Sequence, residues 1–433
     1  MNTLSMLRSG KLTGCSRLDL SCGLTHFPEE IYDLADTLEI LNLSGNNLSS
    51  LPDDLPRLHK LRVIFCSDNS FTHVPEVLGQ CAKLEMVGFK ANRIESLSAA
   101  ALPERLRWLI LTDNRLEQLP AELGNCTRLQ KLMLAGNRLQ QLPDTMAGCR
   151  NLELLRISAN RFEALPGWLL KLPHLAWLAF SGNPFSDAVS KKPDVQSIHW
   201  EGLDLQHKLG EGASGIIHKA SWRAPEGEKD VAIKLFKGAV TSDGLPRSEK
   251  AACLAAGAHP NLISAMGRVS GHPDGTAGLV MPLVDASFKN LAGPPSLESC
   301  TRDIYPDGTS FTPAQLLSMA SGIAAAAGHL HRMGIMHGDL YAHNMLWNEQ
   351  GDCLLGDFGA ASFVPDMASA AALERIEVRA FGCLLEELLE RCIDPTTDKA
   401  RIDVLWELQR RCVQQDVNSR PLFSEIRQRM AEL

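Results

Sequence analysis

The stretch Gly210-Glu-Gly212-Ala-Ser-Gly215 opens a series of four short motifs that decides how the second half of this chain folds. Val231-Ala-Ile-Lys234 comes next, then His337-Gly-Asp339-Leu-Tyr-Ala-His-Asn344, then Asp357-Phe-Gly359. Glycines lack the Cβ that would keep backbone N–H groups from approaching a ligand closely. A lysine adds a compact positive charge, while carboxylates and a carboxamide add hard oxygen atoms suited to a divalent cation. Together these parts suffice to hold and transfer a phosphoryl group. A glycine loop alone would carry little weight, but four motifs in this order, with Asp416-Val-Asn-Ser-Arg420-Pro421 near the end, are hard to obtain by chance.

From Leu203 to Arg429 this order and spacing resemble the protein-kinase family, more than half of the chain. The resemblance implies a two-lobed α+β protein-kinase-like domain over residues 203–433 that uses ATP and Mg²⁺. It implies that Gly210, Gly212 and Gly215 admit the ATP phosphates, and that Leu209 and Ile217 enclose the adenine. Leu279-Val-Met-Pro-Leu-Val284 resembles the strand and hinge beside adenine, with Met281 in the gatekeeper place and Val284 in the hinge. Lys234 is then the partner of the α- and β-phosphates, and Glu249, ten residues before His259-Pro260-Asn261, its helix partner; Glu226 and Glu228 are poorer candidates because they precede the lysine strand. Asp339 takes the place of the catalytic carboxylate that accepts the acceptor hydroxyl's proton, and Asn344 and Asp357 those of the Mg²⁺ ligands.

Several positions depart from the family pattern. Gly338 replaces the arginine that in many kinases reads a phosphorylated activation loop, so no such phosphorylation is expected to be needed. Tyr341 stands where serine/threonine kinases usually carry lysine, whereas His343 is basic at a place where tyrosine kinases carry arginine. Only twenty positions separate Asp357 from Glu377, which resembles the buried acid of the large lobe's central helix. The Ala-Pro-Glu element is missing, with Ala372-Leu-Glu374 a compressed substitute, and Arg420 is expected to pair with Glu374 or Glu377. The short segment is also similar to small-molecule kinases of the aminoglycoside and choline phosphotransferase type. The primary expectation is a protein kinase directed at Ser/Thr; the alternatives are a small-molecule kinase or a nucleotide-binding pseudokinase scaffold.

Upstream the chain has a different character. Asn46, Asn69, Asn92, Asn114, Asn137, Asn160 and Asn183 recur every 23 residues with one step of 22, each after a Leu-x-x-Leu-x-Leu-like strand. This resembles the leucine-rich repeat, an α/β solenoid, over residues 1–185 in about eight copies. Leu-Pro steps such as Leu119-Pro120 and Leu142-Pro143 predict a returning segment with a short helix. Strand alternation turns Ile40, Val63, Met86, Trp108, Lys131, Leu154 and Trp177 outward, with Phe65, Ile110 and Met133 in the adjacent row. So apolar a stripe predicts a surface for a protein substrate or regulator, the alternatives being packing against the chain's own second half or a tolerated apolar face. Residues 186–202, with Lys191-Lys192-Pro193, lack repeat phase and are expected to link the halves.

The whole composition fits this division. At 433 residues the chain is long enough for two domains, and 45% hydrophobic with 22% charged residues allows both to bury cores. A net charge of −8 without a basic run argues against nucleic acid, and the absence of a long apolar stretch argues against a membrane. Twelve cysteines without a Cys-x-x-Cys pair predict reduced, packed thiols, and the amino terminus lacks a signal-peptide core, so a cytoplasmic protein is expected. Oligomeric state is left open.

Overall fold

The computed structural model describes residues 3–187, 196–212, 214–238 and 240–433. The chain divides into two compact units, Met1–Leu172 and Pro173–Leu433. In the first, a short helix α1 (Leu4–Arg8) precedes seven strands: β1 (Arg17–Asp19), β2 (Ile40–Asn42), β3 (Val63–Phe65), β4 (Met86–Gly88), β5 (Trp108–Ile110), β6 (Lys131–Met133) and β7 (Leu154–Arg156). Each pairs in parallel with the next, in a register that puts Val63, Met86 and Trp108 side by side.

Two interactions repeat along this array. Leucines such as Leu41, Leu109, Leu132 and Leu155 are wholly buried or nearly so, forming the stacked core. The asparagines close the turns: Asn137 Oδ1 accepts from Leu116 N at 3.0 Å, and Nδ2 donates to Leu111 O and Leu134 O at 2.8 and 2.9 Å. Backbone groups that a non-repeating turn would leave unpaired are satisfied in this way. The returning segments that follow Pro75, Pro120 and Pro143 are single 3₁₀ turns at Glu76–Gln80, Ala121–Asn125 and Asp144–Gly148. Cys81, Cys126 and Cys149 follow them as buried thiols, with burial pushing Cys149 up to about 12. Among the described residues no two cysteines are joined in a disulfide.

The expectation of an open apolar stripe needs correction. Val63, Met86, Lys131, Leu154 and Trp177 are buried, and only Ile40 and Trp108 of that row are half-buried. Within the array the cause is lateral cover, since same-phase side chains on adjacent strands stand about 5 Å apart. Phe65 lies 6.3 Å from the Trp108 ring, and Lys131 Nζ sits 4.3 Å over it.

The second compact unit begins at Pro173, inside the repeat region. It starts with an eighth copy of the repeat, strand β8 (Trp177–Ala179) and one turn of helix α2 (Pro184–Asp187). Lys191-Lys192-Pro193 lies outside the described residues, but the end of the expected linker is strand β9 (Ser197–His199). β9 joins a six-stranded sheet with β10 (Leu203–Glu211), β11 (Gly215–Ala224), β12 (Gly227–Phe236), β13 (Gly267–Ser270) and β14 (Gly278–Pro282), in the order β10-β11-β12-β14-β13-β9. Ile198, Trp222, Val231, Ile233 and Val280 form its core. Helix α3 (Pro246–Ala256) follows β12.

The remainder is mainly helical. β15 (Lys289–Asn290) pairs with β17 (Met345–Trp347), which pairs with β18 (Cys353–Leu355); β16 (Ile335–Met336) pairs with β19 (Ser362–Phe363). The helices are α4 (Pro313–Arg332), α5 (Met367–Glu390), α6 (Lys399–Cys412) and α7 (Phe423–Ala431). Thr312 and Gln315 form a capping box on α4, fixing where it starts. Among the described residues no helix is long and apolar enough to cross a membrane.

Candidate active site

The site is built from the small sheet downward. Alternation along β12 sends Val231 and Ile233 into the core and leaves Ala232 and Lys234 on the opposite face. Register places Lys234 between Ile217 of β11 and Leu279 of β14, and Ala232 beside Met281. On α3 the buried positions Glu249, Ala252, Cys253 and Ala256 lie on one face, spaced as a helix packing on a sheet requires. That face carries Glu249 to Lys234, and the two form an ion pair with side-chain exposures of 4% and 13%. Burial pushes the Glu249 carboxyl up, the neighbouring Lys234 pulls it back, and the charge of Asp357 adds to the push.

The glycine turn joins β10 to β11, with Gly212 N donating to Gly215 O at 2.9 Å; Ala213 lies outside the described residues. Gly215 has a packing reason, since a Cβ there would meet Leu235 O at 2.5 Å. Gly210 and Gly212 do not: a Cβ at either would meet no atom within 4 Å. Leu209 leaves 47% of its surface exposed at the same edge, and Val284 is half-buried beyond Met281.

In the large lobe, Asn344 Nδ2 donates to both Asp339 O and Asp339 Oδ2, at 2.9 and 2.8 Å, which fixes the carboxylate against its own loop. Asp357 is exposed and sits at φ 52, a left-handed conformation that aspartate tolerates better than most residues; its Oδ1 accepts from Gly359 N at 3.0 Å. His337 ties the two motifs together. Its Nε2 bonds Gly356 O at 2.9 Å, and its ring lies 5.5 Å from that of Phe358.

Glu377 of α5 holds this loop from below. It is fully buried and accepts from His337 N at 3.2 Å, Gly338 N at 2.7 Å and the His331 ring at 2.8 Å. Burial alone would raise its carboxyl, but His331, His337 and the Gly338 N–H together hold it below the usual range. No sequence signal marked His331 as its partner. Asp303 was also missed: it accepts from His343 N at 3.0 Å and pairs with His343 Nδ1 at 2.7 Å. Burial would lower the His343 ring, yet Asp303 keeps it above its ordinary value.

The expected partner of Arg420 is not found. Arg420 donates to Gln414 O at 2.8 Å, Arg375 O at 3.1 Å and Pro173 O at 2.6 Å, while Glu374 Oε1 accepts from Phe423 N at 2.7 Å and Glu377 is used by the catalytic loop. The reason is that α5 starts at Met367, so Ala372-Leu-Glu374 is helix and cannot serve as a loop-borne substitute.

Residues 203–399 match the family model described as protein tyrosine and serine/threonine kinase. Residues 104–162 and 127–185 match one leucine-rich-repeat model and 37–58 another. The chain carries a protein-kinase domain behind leucine-rich repeats. Among relatives of the kinase domain, ephrin type-B receptor 4b of Danio rerio is 32% identical over 171 residues, covering 39% of this chain and 16% of the receptor. Ephrin type-B receptor 4 of Homo sapiens is 27% identical over 272 residues, covering 52% and 26%. The chain thus spans about a quarter or less of the length of these relatives. A solved leucine-rich-repeat protein of Leptospira interrogans is similar at 27% identity and a TM-score of 0.39, covering 42% of this chain and 47% of its own.

Proposed function

We propose that the kinase domain transfers the γ-phosphoryl group of ATP to a hydroxyl of a protein, with serine or threonine as the acceptor. The observation that carries this reading is the buried Lys234–Glu249 pair on one lobe together with Asp339 locked by Asn344 on the other. The unfilled space at Gly210 and Gly212 and the exposed Leu209 fit a nucleotide between them. Asn344 and Asp357 would hold Mg²⁺, which would offset phosphate charge. Among the described residues no three His, Cys, Asp or Glu side chains group as metal ligands, and a site of one carboxylate and one amide completed by phosphates would form no such group.

Each residue then has one task. Lys234, held in place by Glu249, pairs with the α- and β-phosphates. Asp339 accepts the proton of the acceptor hydroxyl at a carboxylate oxygen, and the Asn344 amide keeps that carboxylate turned inward. His343 engages Asp303 through both its ring and its backbone, so it is not held out toward the acceptor, which favours Ser/Thr over Tyr. To the repeats we assign capture of the protein substrate or a regulator, on the half-buried Ile40, Phe65, Trp108 and Ile110. Replacing Ile40 and Ile110 by Ser should then weaken labelling of a captured acceptor without changing ATP turnover.

Labelled ATP with Mg²⁺, supplied with generic protein acceptors and the chain itself, tests the assignment. Label on Ser or Thr should fall by about 10²–10⁴-fold in Asp339→Asn, the range for losing a general base. Equal labelling by that variant would sink the role of Asp339. ATP consumption only with small hydroxyl compounds would replace the protein-kinase reading by a metabolite kinase, and no turnover would leave a nucleotide-binding scaffold.

A further inference from the structure

The second unit has a short span between Asp357-Phe-Gly359 and α5, which begins ten positions after Asp357. That span pairs with β16 just before the catalytic loop, Glu377 holds the loop through His337 and Gly338, and a third element packs against it as well. The eighth repeat lies against this loop. The Trp177 ring stacks on Tyr341 with centroids 4.2 Å apart and planes 8° from parallel, and Trp177 Nε1 donates to Leu340 O at 3.2 Å. Trp177 is 2% exposed and Tyr341 4%. Leu178 O stands where a Cβ on Gly338 would come within 2.6 Å, with Ala360 O at 2.8 Å on the other side. Phe180 N donates to Ser362 Oγ at 3.0 Å, reaching the strand that follows Asp357-Phe-Gly359. At its start, Pro173 O accepts from Arg420 at 2.6 Å.

These contacts fall on the residues just before and just after Asp339 and on the segment leaving Asp357. We propose that the final repeat, Pro173–Asp187, adds to the work of the shortened activation segment, and that Trp177 is a positioning residue acting on Asp339 through Leu340 and Tyr341. This rests on the kinase reading of the site. A clamp made of packed rings and backbone hydrogen bonds is formed on folding and requires no added phosphate. Gly338 is glycine because the clamp fills the space a side chain would need, and because its φ of 75 disfavours one.

The test uses the full chain with Trp177→Ala, Trp177→Phe and Ser362→Ala. Trp177→Ala should lower kcat by about 10- to 100-fold, as expected from displacing a reacting group by an ångström, with the KM for ATP held within about twofold. Trp177→Phe keeps a ring on Tyr341 and should recover most of kcat, while Ser362→Ala, which removes the acceptor of Phe180 N and a bond to Ala360 O but no ring contact, should show a small loss in the same direction. Hydrogen exchange of residues 337–344 provides a readout that does not depend on turnover. It should rise by about tenfold or more in Trp177→Ala and stay near wild type in Trp177→Phe, with peptides of the first seven repeats and of α7 unchanged. Exchange that does not rise at 337–344, or that rises equally through the whole large lobe, would overturn the clamp. A wild-type chain that transfers no phosphate would refute the kinase reading instead, and the exchange comparison would still decide whether Trp177 holds the loop.

Discussion

Trp108 and Trp177 occupy the same phase of the same repeat, three copies apart, and the molecule uses them differently. Around Trp108 the neighbours named are other repeat residues, Phe65 at its edge and Lys131 over its face, and its Nε1, though buried, has no acceptor among the described residues. Trp177 has an aromatic partner in parallel contact and a backbone acceptor, both from the catalytic loop. A repeat therefore fixes where a side chain stands and which way it points, while the meaning of that side chain depends on what the rest of the unit brings to it. The indole of Trp177 is specified like a loop anchor, with every polar group used; that of Trp108 is a broad cover with one group unsatisfied.

The largest effect should come from the other anchor of the same loop. If Glu377 holds His337 and Gly338 from below while Trp177 holds Leu340 and Tyr341 from above, then Glu377→Ala removes a buried, fully bonded carboxylate. That should cost about 3–5 kcal/mol, the usual range for breaking one side of a buried pair. Denaturant unfolding followed by a probe in the kinase domain measures it; a loss below about 1 kcal/mol would mean that the loop does not depend on this acid. The same residue sets an acid limit. Its folded-state pKa is depressed, so its contribution is complete above the unfolded value of about 4.3 and is lost as pH falls through the folded value. Stability of the wild type should thus drop below about pH 4 by more than that of Glu377→Gln, which cannot ionise.

Next in size is Gly338→Ala. The new methyl group would meet Leu178 O and Ala360 O and would sit at positive φ, so the variant should lose about 1–3 kcal/mol. The matched control is Gly210→Ala, where a Cβ meets nothing and the domain should be as stable as wild type. If Gly338→Ala proves neutral, the final repeat is not close against the loop and the contrast between the two tryptophans loses its basis.

Legibility in the sequence followed the same division. The period of 23 fixed the seven strands and the asparagine turns, because a repeat places the same residue in the same bond each time. Motifs likewise led to the Lys234–Glu249 pair and to Asp339 beside Asn344, since those spacings depend on short local geometry. The partners of Arg420, Glu377 and His343 were not legible. They are Pro173, His331 and Asp303, brought together across 40 to 247 positions by tertiary contacts that no local spacing records. Phase alone turned Trp177 outward correctly, but the same phase gave no sign that Tyr341 would cover it.

The smallest prediction is the sharpest, because one substitution should cost stability at one of two equivalent positions and not at the other. Trp177→Phe keeps a ring against Tyr341 but loses the bond to Leu340 O, so it should cost about 1 kcal/mol, the net value of a typical hydrogen bond, beyond any loss of ring area. Trp108→Phe removes a buried N–H that has no acceptor, which relieves a desolvation cost of about 1–3 kcal/mol, against a cation–π loss over Lys131 of about 0.5–1 kcal/mol. It should leave stability unchanged or slightly higher. In thermal melts Trp177→Phe should fall by a few degrees, at about 2–4 °C per kcal/mol for units of this size, while Trp108→Phe should stay level or rise slightly. Equal losses at both positions would show that Trp108 is anchored as Trp177 is, and that the repeats differ less than their contacts indicate.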